Sequence, residues 1–225
     1  MIIRKTYENI EQGSPAWFLL RCGLITASEM KLIMTPTGKI ANNDKSRLHI
    51  YELAGQRITK YVEPSYISDD MLRGMQDEIT ARARYSEHYE PASEVGFMIY
   101  AREGIKIGGS PDGVVGEDGL LEIKSRKQKH HIRTLAENAV PEEYILQIQT
   151  ILLVSGRQWL DFISFCAGLR MFVKRVYPDL ALQEKIWNTV CEAEEKIKDV
   201  INLSQANPNA RIKTVRNEEE GEIIV

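Results

Sequence analysis

Apolar and polar residues alternate in two different ways along the chain, and the change falls near residue 95. Before that point, apolar residues recur every three or four positions, as in amphipathic helices. Ser14 with Pro15 is typical of a helix start, Thr26 with Glu29 has the pattern of a capping box, and Asp44 is a third candidate cap. The sequence therefore predicts helices at 15–22, 26–34, 44–61 and 70–89.

From residue 95 onward the alternation has the two-residue period of β-strands. The segment 95–125 alternates between glycine-containing turns, which predicts a β-meander with Glu117–Gly119 as a hairpin turn. Two further strands are predicted at 158–166 and 169–176.

Two more helices are predicted among and after these strands. The segment from Pro141 to Gly156 is apolar on nearly every side, which indicates a buried helix, and a longer amphipathic helix is predicted at 178–204. The pattern as a whole predicts an α/β fold in which helices flank a central mixed β-sheet. No repeat or linker interrupts it, so residues 1–225 are expected to form a single domain.

The composition excludes several classes of protein. With 43% hydrophobic and 27% charged residues, the chain has the makeup of a soluble globular protein. It contains no run of about 18 apolar residues that would span a membrane, and its first residues lack the apolar stretch of a signal peptide. Its three cysteines are far apart and odd in number. We therefore expect a cytoplasmic protein without disulfides or a cysteine-bound metal cluster.

The net charge of −3 conceals an uneven distribution. The basic run from Lys124 to Arg133 carries five positive charges and no acid, whereas acidic residues concentrate in the last helix and at 218–222. A basic stripe can follow a phosphate backbone even on an acidic body, because the local field matters more than the total charge. A charge run by itself is more often a solvated surface, and we place His130 and His131, which lack metal-ligand spacing, in that class.

One set of charged residues indicates phosphodiester chemistry. Asp112 follows the sequence G-G-S-P at the end of a predicted strand, and the hairpin turn brings the next strand back beside it. Glu122 and Lys124 lie two residues apart in that next strand, so their side chains project from one face. Two carboxylates suit Mg²⁺, which activates water, and a lysine can orient or deprotonate that water. An E-x-K triplet alone is more simply a surface ion pair; the S-P-D-G turn and the basic run favour the catalytic interpretation.

The same motif, G-G-S-P-D-G followed by L-L-E-I-K-S at 108–125, resembles the core of the PD-(D/E)XK nuclease superfamily. Three other motifs resemble the lambda exonuclease family of YqaJ-like viral recombinases: A-W-F-L-L-R-C-G-L-I-T-A-S-E at 16–29, R-G-M-Q-D-E at 73–78 and Y-I-L-Q-I-Q at 144–149. All four occur in the family's order, which chance rarely produces. The last third of the chain matches only in length.

The resemblance implies a restriction-endonuclease-like core and a specific activity. Such an enzyme digests one strand of linear double-stranded DNA from its 5′ end, processively, and leaves 3′ single strands for recombination. The resemblance also implies two Mg²⁺ ions, which Mn²⁺ can replace, and a ring-shaped homotrimer acting on DNA ends beside a single-strand annealing protein. Its setting would be the cytoplasm of a bacterium or of a phage-infected cell.

The resemblance further assigns roles around the reacting phosphate. Asp112 and Glu122 would bind the metal, assisted by the carbonyl of Ile123. Lys124 would be the catalytic lysine, and Glu78 would contact the metal or its water. Without the resemblance, Glu78 is a solvated helix residue.

Four further residues complete the implied site, and all but Ser110 have an alternative interpretation. Gln147 would position the lysine or the water, although Gln149 in the same predicted helix is an equal candidate. Arg21, Ser28 and Ser110 would bind the terminal 5′ phosphate. Ser28 in a first helical turn would lie near free amides that favour an anion, and Arg21 could meet that anion bidentately. By themselves, both are as well explained as ordinary surface residues.

Rival functions remain open from the sequence. An endonuclease or structure-specific nuclease of the same fold would not need a pocket for the 5′ phosphate. A non-enzymatic DNA-binding module would not need the D…E-x-K set, and a hydrolase of small phosphoesters would not need the basic run. Met71 could be an apolar wedge that separates the terminal base pair, but its expected place is the core.

Overall fold

The computed structural model describes residues 1–35, 37–64 and 68–216, so the acidic segment at 218–222 lies outside the described residues. The strands are β1 (Ile2–Tyr7), β2 (Ile25–Thr26), β3 (Ala92–Ser93), β4 (Phe97–Arg102), β5 (Ile105–Gly109), β6 (Gly113–Val115), β7 (Gly119–Ser125), β8 (Trp159–Phe165) and β9 (Phe172–Val176). The helices are α1 (Pro15–Arg21), α2 (Met30–Ile33), α3 (Asp44–Thr59), α4 (Asp69–His88), α5 (Gln128–Glu137), α6 (Glu142–Ser155) and α7 (Leu180–Gln205), and a short 3₁₀ helix covers Ala27–Glu29.

The strands form two mixed sheets flanked by helices, which confirms the α/β class predicted from the sequence. The four-stranded sheet has the order β1-β4-β5-β2 and the five-stranded sheet the order β3-β6-β7-β8-β9. The predicted meander is therefore divided, with β4 and β5 in one sheet and β6 and β7 in the other. The division falls at Pro111, which has no N–H to offer a ladder.

Helix α6 packs against both sheets, with contacts to β1, β4, β5 and β8. Seven of its residues are buried, which confirms the predicted buried helix: Leu146, Ile148, Gln149, Thr150, Ile151, Leu152 and Val154. The helix ends at Gly156, whose φ of 74° lies in the left-handed region that favours glycine. One side chain of α6, that of Gln147, also reaches Glu122 on β7.

Two predicted helix starts differ from the structure. The side chain of Asn43, rather than Asp44, caps α3 by accepting from the Ser46 amide at 3.0 Å. The capping box at Thr26 is wrong, because the Thr26 hydroxyl donates to Glu29 Oε2 at 2.5 Å and accepts from no backbone amide there. Thr26 also pairs with Gly108 in the sheet, so it is the last residue of β2 and lies immediately before the 3₁₀ helix.

The basic run contains a helix, α5, that the sequence did not predict. His131 on this helix is fully buried, which contradicts its assignment to a solvated surface. Its Nδ1 lies 2.7 Å from Ser164 Oγ and its Nε2 lies 2.9 Å from the Arg170 carbonyl, so both ring nitrogens have partners. His130 is exposed, as predicted. The run is therefore amphipathic, with one face docked on β8.

No helix within the described ranges is long and apolar enough to cross a membrane.

Candidate active site

The hairpin of β6 and β7 brings Asp112, Glu122 and Lys124 together. The Asp112 amide donates to the Leu121 carbonyl at 3.0 Å, and Asp112 Oδ2 accepts from the Ile123 amide at 2.6 Å. These two bonds continue the β6–β7 ladder and hold the Asp112 carboxylate against the strand that carries Glu122 and Lys124.

Glu122 is 1% exposed, and its two carboxylate oxygens have different surroundings. Oε1 accepts from Gln147 Nε2 at 2.6 Å and forms an ion pair with Lys124 Nζ. Oε2 is buried and has no hydrogen-bond partner among the described residues. Because buried polar atoms are nearly always satisfied, this oxygen indicates a missing external partner.

The electrostatics of the site show an excess of negative charge. Burial raises the pKa of Glu122 to about 7, and the nearby Asp112 and Glu78 add to this rise. Burial and the proximity of Asp112 raise the pKa of Glu78 to about 7 as well. Burial also raises the pKa of Asp112. For Lys124, burial alone would lower the pKa, but Glu122 and Asp112 raise it above its ordinary value, so the lysine is charged.

These features fit a divalent cation with oxygen ligands. No group of three or more His, Cys, Asp or Glu side chains stands ready to hold a metal in the parts of the chain that the structure describes. The candidate set is instead two carboxylates, Asp112 and Glu122, with a backbone carbonyl. A hard cation there would satisfy the unpartnered Oε2 of Glu122 and offset the clustered negative charge.

Helix α4 contributes Glu78 and a residue that the sequence analysis missed, Arg82. Arg82 Nη1 donates to Glu78 Oε1 at 3.0 Å and to the Asp112 carbonyl at 2.6 Å, while its Nη2 contacts Glu94. Arg82 is only 8% exposed. The sequence could have indicated the contact between Glu78 and Arg82, because side chains four residues apart meet on one face of a helix.

Gln147, rather than Gln149, faces the carboxylate of Glu122. Gln149 Nε2 donates to the Tyr177 carbonyl at 2.9 Å, and its Oε1 accepts from the Asp179 amide at 2.8 Å. Gln149 therefore connects α6 to the start of α7, and the choice that the sequence left open is decided by which side of α6 each residue occupies.

The residues proposed for the 5′ phosphate form one connected cluster. Arg21 Nη2 donates to Thr26 Oγ1 at 3.3 Å, and the same hydroxyl lies 3.3 Å from Ser28 Oγ. The Arg21 guanidinium carbon lies 4.3 Å from the centre of the Trp17 ring. Trp17 Nε1 in turn donates to Ser110 Oγ at 2.8 Å. Arg21, Ser28 and Ser110 are thus linked through Trp17 and Thr26.

An internal carboxylate already faces this cluster. Glu29 Oε1 lies 3.8 Å from Arg21 Nη2. Burial lowers the pKa of Arg21, and Glu29 opposes that shift. The helix expected to start beside Ser28 is only a three-residue 3₁₀ helix, Ala27–Glu29, so its dipole is too small to favour an anion there. Any anion here would be held by side chains.

Met71 is 46% exposed, so its expected place in the core is wrong. The buried residues of α4 all lie in its second half, namely Ala81, Arg82 and Tyr85. The first half, which carries Met71, contains no buried residue.

Comparisons with known proteins identify the family and the fold. Residues 16–158, more than half of the chain, match the model of the YqaJ-like viral recombinase domain. The structure is similar to that of an alkaline exonuclease, LHK-Exo, from Laribacter hongkongensis, with a TM-score of 0.75 and 33% sequence identity over 85% of this chain and 96% of that chain. The complex of LHK-Exo with dAMP gives the same values.

A phage-related exonuclease from Haemophilus somnus 129PT has a TM-score of 0.63 and 14% identity over 80% of this chain and 96% of that chain. At that identity the likeness concerns the fold alone. No curated protein matches the chain.

Proposed function

The chain belongs to the YqaJ-like viral recombinase family and is a DNA nuclease, and on that premise we propose that it is a Mg²⁺-dependent 5′-to-3′ exonuclease. It digests one strand of linear double-stranded DNA and leaves 3′ single strands for recombination. The observation that carries the proposal is the buried Glu122 carboxylate, with one oxygen held by Gln147 and Lys124 and the other without a partner.

In the proposed mechanism, Asp112 and Glu122 would hold the metal with the carbonyl of Ile123. When bound, Mg²⁺ supplies polarisation of the scissile phosphate and a lowered pKa for the attacking water. Lys124, which is charged and 26% exposed, orients that water and offsets charge that develops on the phosphate. Gln147 holds Oε1 of Glu122 in place. We propose two metal ions, with Mn²⁺ able to replace Mg²⁺.

Glu78 is the third acid of this proposed site. Arg82 holds its carboxylate on the Asp112 side of the cluster. From there Glu78 would contact the metal or a water bound to it, since Asp112 raises its pKa and must therefore lie close.

The 5′ polarity rests on the cluster of Arg21, Ser28 and Ser110, which we assign to the terminal 5′ phosphate. Ser110 and Asp112 are two residues apart, so their Cα atoms lie within about 7 Å. A phosphate held by this cluster would place the strand end beside the catalytic carboxylates. An enzyme that cuts internal bonds would not need such a cluster.

The alternative function is an endonuclease or structure-specific nuclease of the same fold. The discriminating experiment incubates the protein and Mg²⁺ with a duplex in linear and in covalently closed form, with each strand of the linear form end-labelled in turn. We expect 5′ labels to be released from the linear duplex as mononucleotides while 3′ labels are still retained, and no digestion of the closed form or in the absence of metal. Cleavage of the closed form, or release from 3′ ends, would contradict the proposal. The Lys124→Ala variant controls for contaminating nucleases.

The assembly and partners implied by the family are also proposals. A homotrimeric ring would enclose the duplex during processive digestion, and a single-strand annealing protein would take over the 3′ strand. Light scattering in solution tests the first, with an expected mass three times that of the 25.7 kDa chain. A monomer at all concentrations would exclude the ring.

A further inference from the structure

A cavity of about 530 Å³ begins where β7 ends, two residues beyond Lys124. It is lined by residues from three segments: Arg73 and Asp77 of α4, Arg126 to Lys129 at the start of α5, and Cys166 and Ala167 after β8. Asp112 and Glu122 do not line it. The cavity is therefore separate from the catalytic carboxylates, although it lies at the end of the strand that carries Glu122 and Lys124.

The lining has more positive than negative charge. It contains four cations, Arg73, Arg126, Lys127 and Lys129, and one carboxylate, that of Asp77. Asp77 Oδ2 accepts from Ser125 Oγ at 2.5 Å and lies 3.9 Å from Arg73 Nε, so its charge is partly offset. At the exposed rim Asp70 pairs with both Lys127 and Arg73, each at 2.8 Å. These charges favour an anion in the cavity.

Arg126 gives the clearest indication that an anion binds in this cavity. Its side chain is 9% exposed, and its guanidinium carbon lies 5.3 Å from the centre of the Tyr144 ring. Nη2 reaches Glu143 at 3.3 Å, whereas Nη1 is buried and has no acceptor among the described residues. A buried guanidinium nitrogen without an acceptor is costly. The acceptor is expected to come from outside the chain.

The start of α5 supplies free donors beside Arg126. This ten-residue helix begins after Lys127, whose side chain makes no capping bond. The His130 and His131 amides bond back to the Lys127 carbonyl, whereas the Gln128 and Lys129 amides find no acceptor in the described part of the chain. Uncapped amides and the helix dipole favour negative charge at this end.

We propose that this cavity binds a backbone phosphate of the DNA close to the scissile bond, an assignment that rests on the proposed function. Lys124 and Arg126 both lie over the Tyr144 ring, at 5.7 Å and 5.3 Å from its centre. They therefore share one face, about 7 Å apart along an extended chain. Arg126, Lys129 and the free amides hold the phosphate oxygens.

The first test is DNA binding by three variants in a Lys124→Ala background, which prevents cleavage. Arg126→Gln should weaken binding of linear duplex about tenfold and reduce the slope of log Kd against log salt by about one. Lys129→Gln, at an exposed position, should reduce the same slope by a smaller amount. Arg84→Gln, which removes an exposed charge from α4 outside the cavity, should match the parent. Equal effects of Arg126→Gln and Arg84→Gln would overturn the assignment.

The second test locates the phosphate. Single phosphates of the duplex are replaced in turn by uncharged methylphosphonate. The parent should lose affinity at one position within a few nucleotides of the 5′ end, and Arg126→Gln should lose nothing further there, because the two changes remove the same contact. Additive losses at every position would refute the contact.

Free inorganic phosphate has the same oxygen acceptors as a DNA phosphate, so it is the other ligand to test for this cavity. If it raises the melting temperature of the wild type while Arg126→Gln leaves DNA affinity unchanged, the cavity binds free anions and the proposal fails. These outcomes are distinct from failure of the proposed function, which digestion of linear duplex by the wild type tests independently. If the wild type digests DNA and Arg126→Gln binds DNA as tightly as its parent, the cavity assignment fails while the proposed function stands.

Discussion

Gln147 and Lys124 meet on the same oxygen of Glu122. The Gln147 amide nitrogen lies 2.6 Å from Oε1, and Lys124 Nζ forms an ion pair with the same oxygen. The buried carboxylate is thereby fixed through one oxygen, while Oε2 stays without a partner. Groups that orient metal ligands in this way are often nearly as important as the ligands themselves.

Substitution of Gln147 should therefore affect metal binding. We expect Gln147→Leu to lower Mg²⁺ affinity or kcat about ten- to a hundredfold, with little change in melting temperature. Gln149→Leu is the matched control two residues away. It removes buried bonds between α6 and the start of α7, so it should cost about 1–3 kcal/mol of stability and leave kcat of the folded protein unchanged. Normal Mg²⁺ affinity and kcat in Gln147→Leu would exclude a role for this amide.

Removal of the catalytic groups should separate chemistry from binding. Asp112→Asn keeps an acceptor for the Ile123 amide, and Lys124→Ala shortens a side chain that is partly exposed. Both should fold normally and lose detectable cleavage. Asp112→Asn should bind DNA at least as tightly as the wild type, because one negative charge that faces the phosphate is gone. Turnover near the wild-type rate in either variant would show that the site is assigned incorrectly.

Protons and metal should compete for the clustered carboxylates. Glu78 and Glu122 have ordinary pKa values of 4.5 and folded-state values of about 7, so the folded protein binds more protons than the unfolded chain between these limits. The free energy of unfolding without metal should consequently fall as pH rises from about 4.5 to 7, and the loss is complete above pH 7.

Divalent metal should reverse this loss, since it binds the ionised carboxylates. The increase in melting temperature caused by Mg²⁺ should accordingly be larger at pH 8 than at pH 6. Ca²⁺ should give a similar increase and support DNA binding without hydrolysis, because it activates water less. A Mg²⁺ effect that is equal at both pH values would argue against carboxylate ligands with raised pKa.

Arg82 should act through Glu78 and Asp112. Arg82→Leu removes the donors to the Glu78 carboxylate and the Asp112 carbonyl, so we expect weaker Mg²⁺ binding together with reduced stability. Arg82→Lys, which keeps the charge, should restore part of the metal affinity. Glu94→Gln is the control, because Glu94 contacts the same guanidinium from the exposed surface. If Arg82→Leu loses stability but binds Mg²⁺ normally, its role is only structural.

Arg21 should matter only when a 5′ phosphate is present. A charge-assisted contact contributes about 1.5–3 kcal/mol, so Arg21→Ala should slow digestion of 5′-phosphorylated duplex about ten- to a hundredfold. On 5′-hydroxyl ends the loss should be small, and the two substrates should converge in rate. Measuring both rates for both proteins closes a double-perturbation cycle. Equal slowing on the two substrates would make Arg21 structural.

The sequence by itself determined the helices other than α5, the strands from β4 onward and the grouping of Asp112, Glu122 and Lys124. The spacing of Glu122 and Lys124 in a strand, and a turn between them and Asp112, was enough to bring the three together, because strand periodicity and hairpin pairing are local properties. The order of four motifs along the chain indicated the family. The buried helix α6 was also evident, since its apolar residues surround its axis.

The tertiary structure decided what depends on distant segments. Only the packing of α6 places Gln147, rather than Gln149, on Glu122, and only the docking of α4 brings Arg82 onto Asp112. Likewise His131 looks solvated within its basic run, yet α5 turns it toward Ser164, 33 positions away. Side chains of one helix differ in role by the direction in which they project, and that direction is fixed by packing against residues far along the chain.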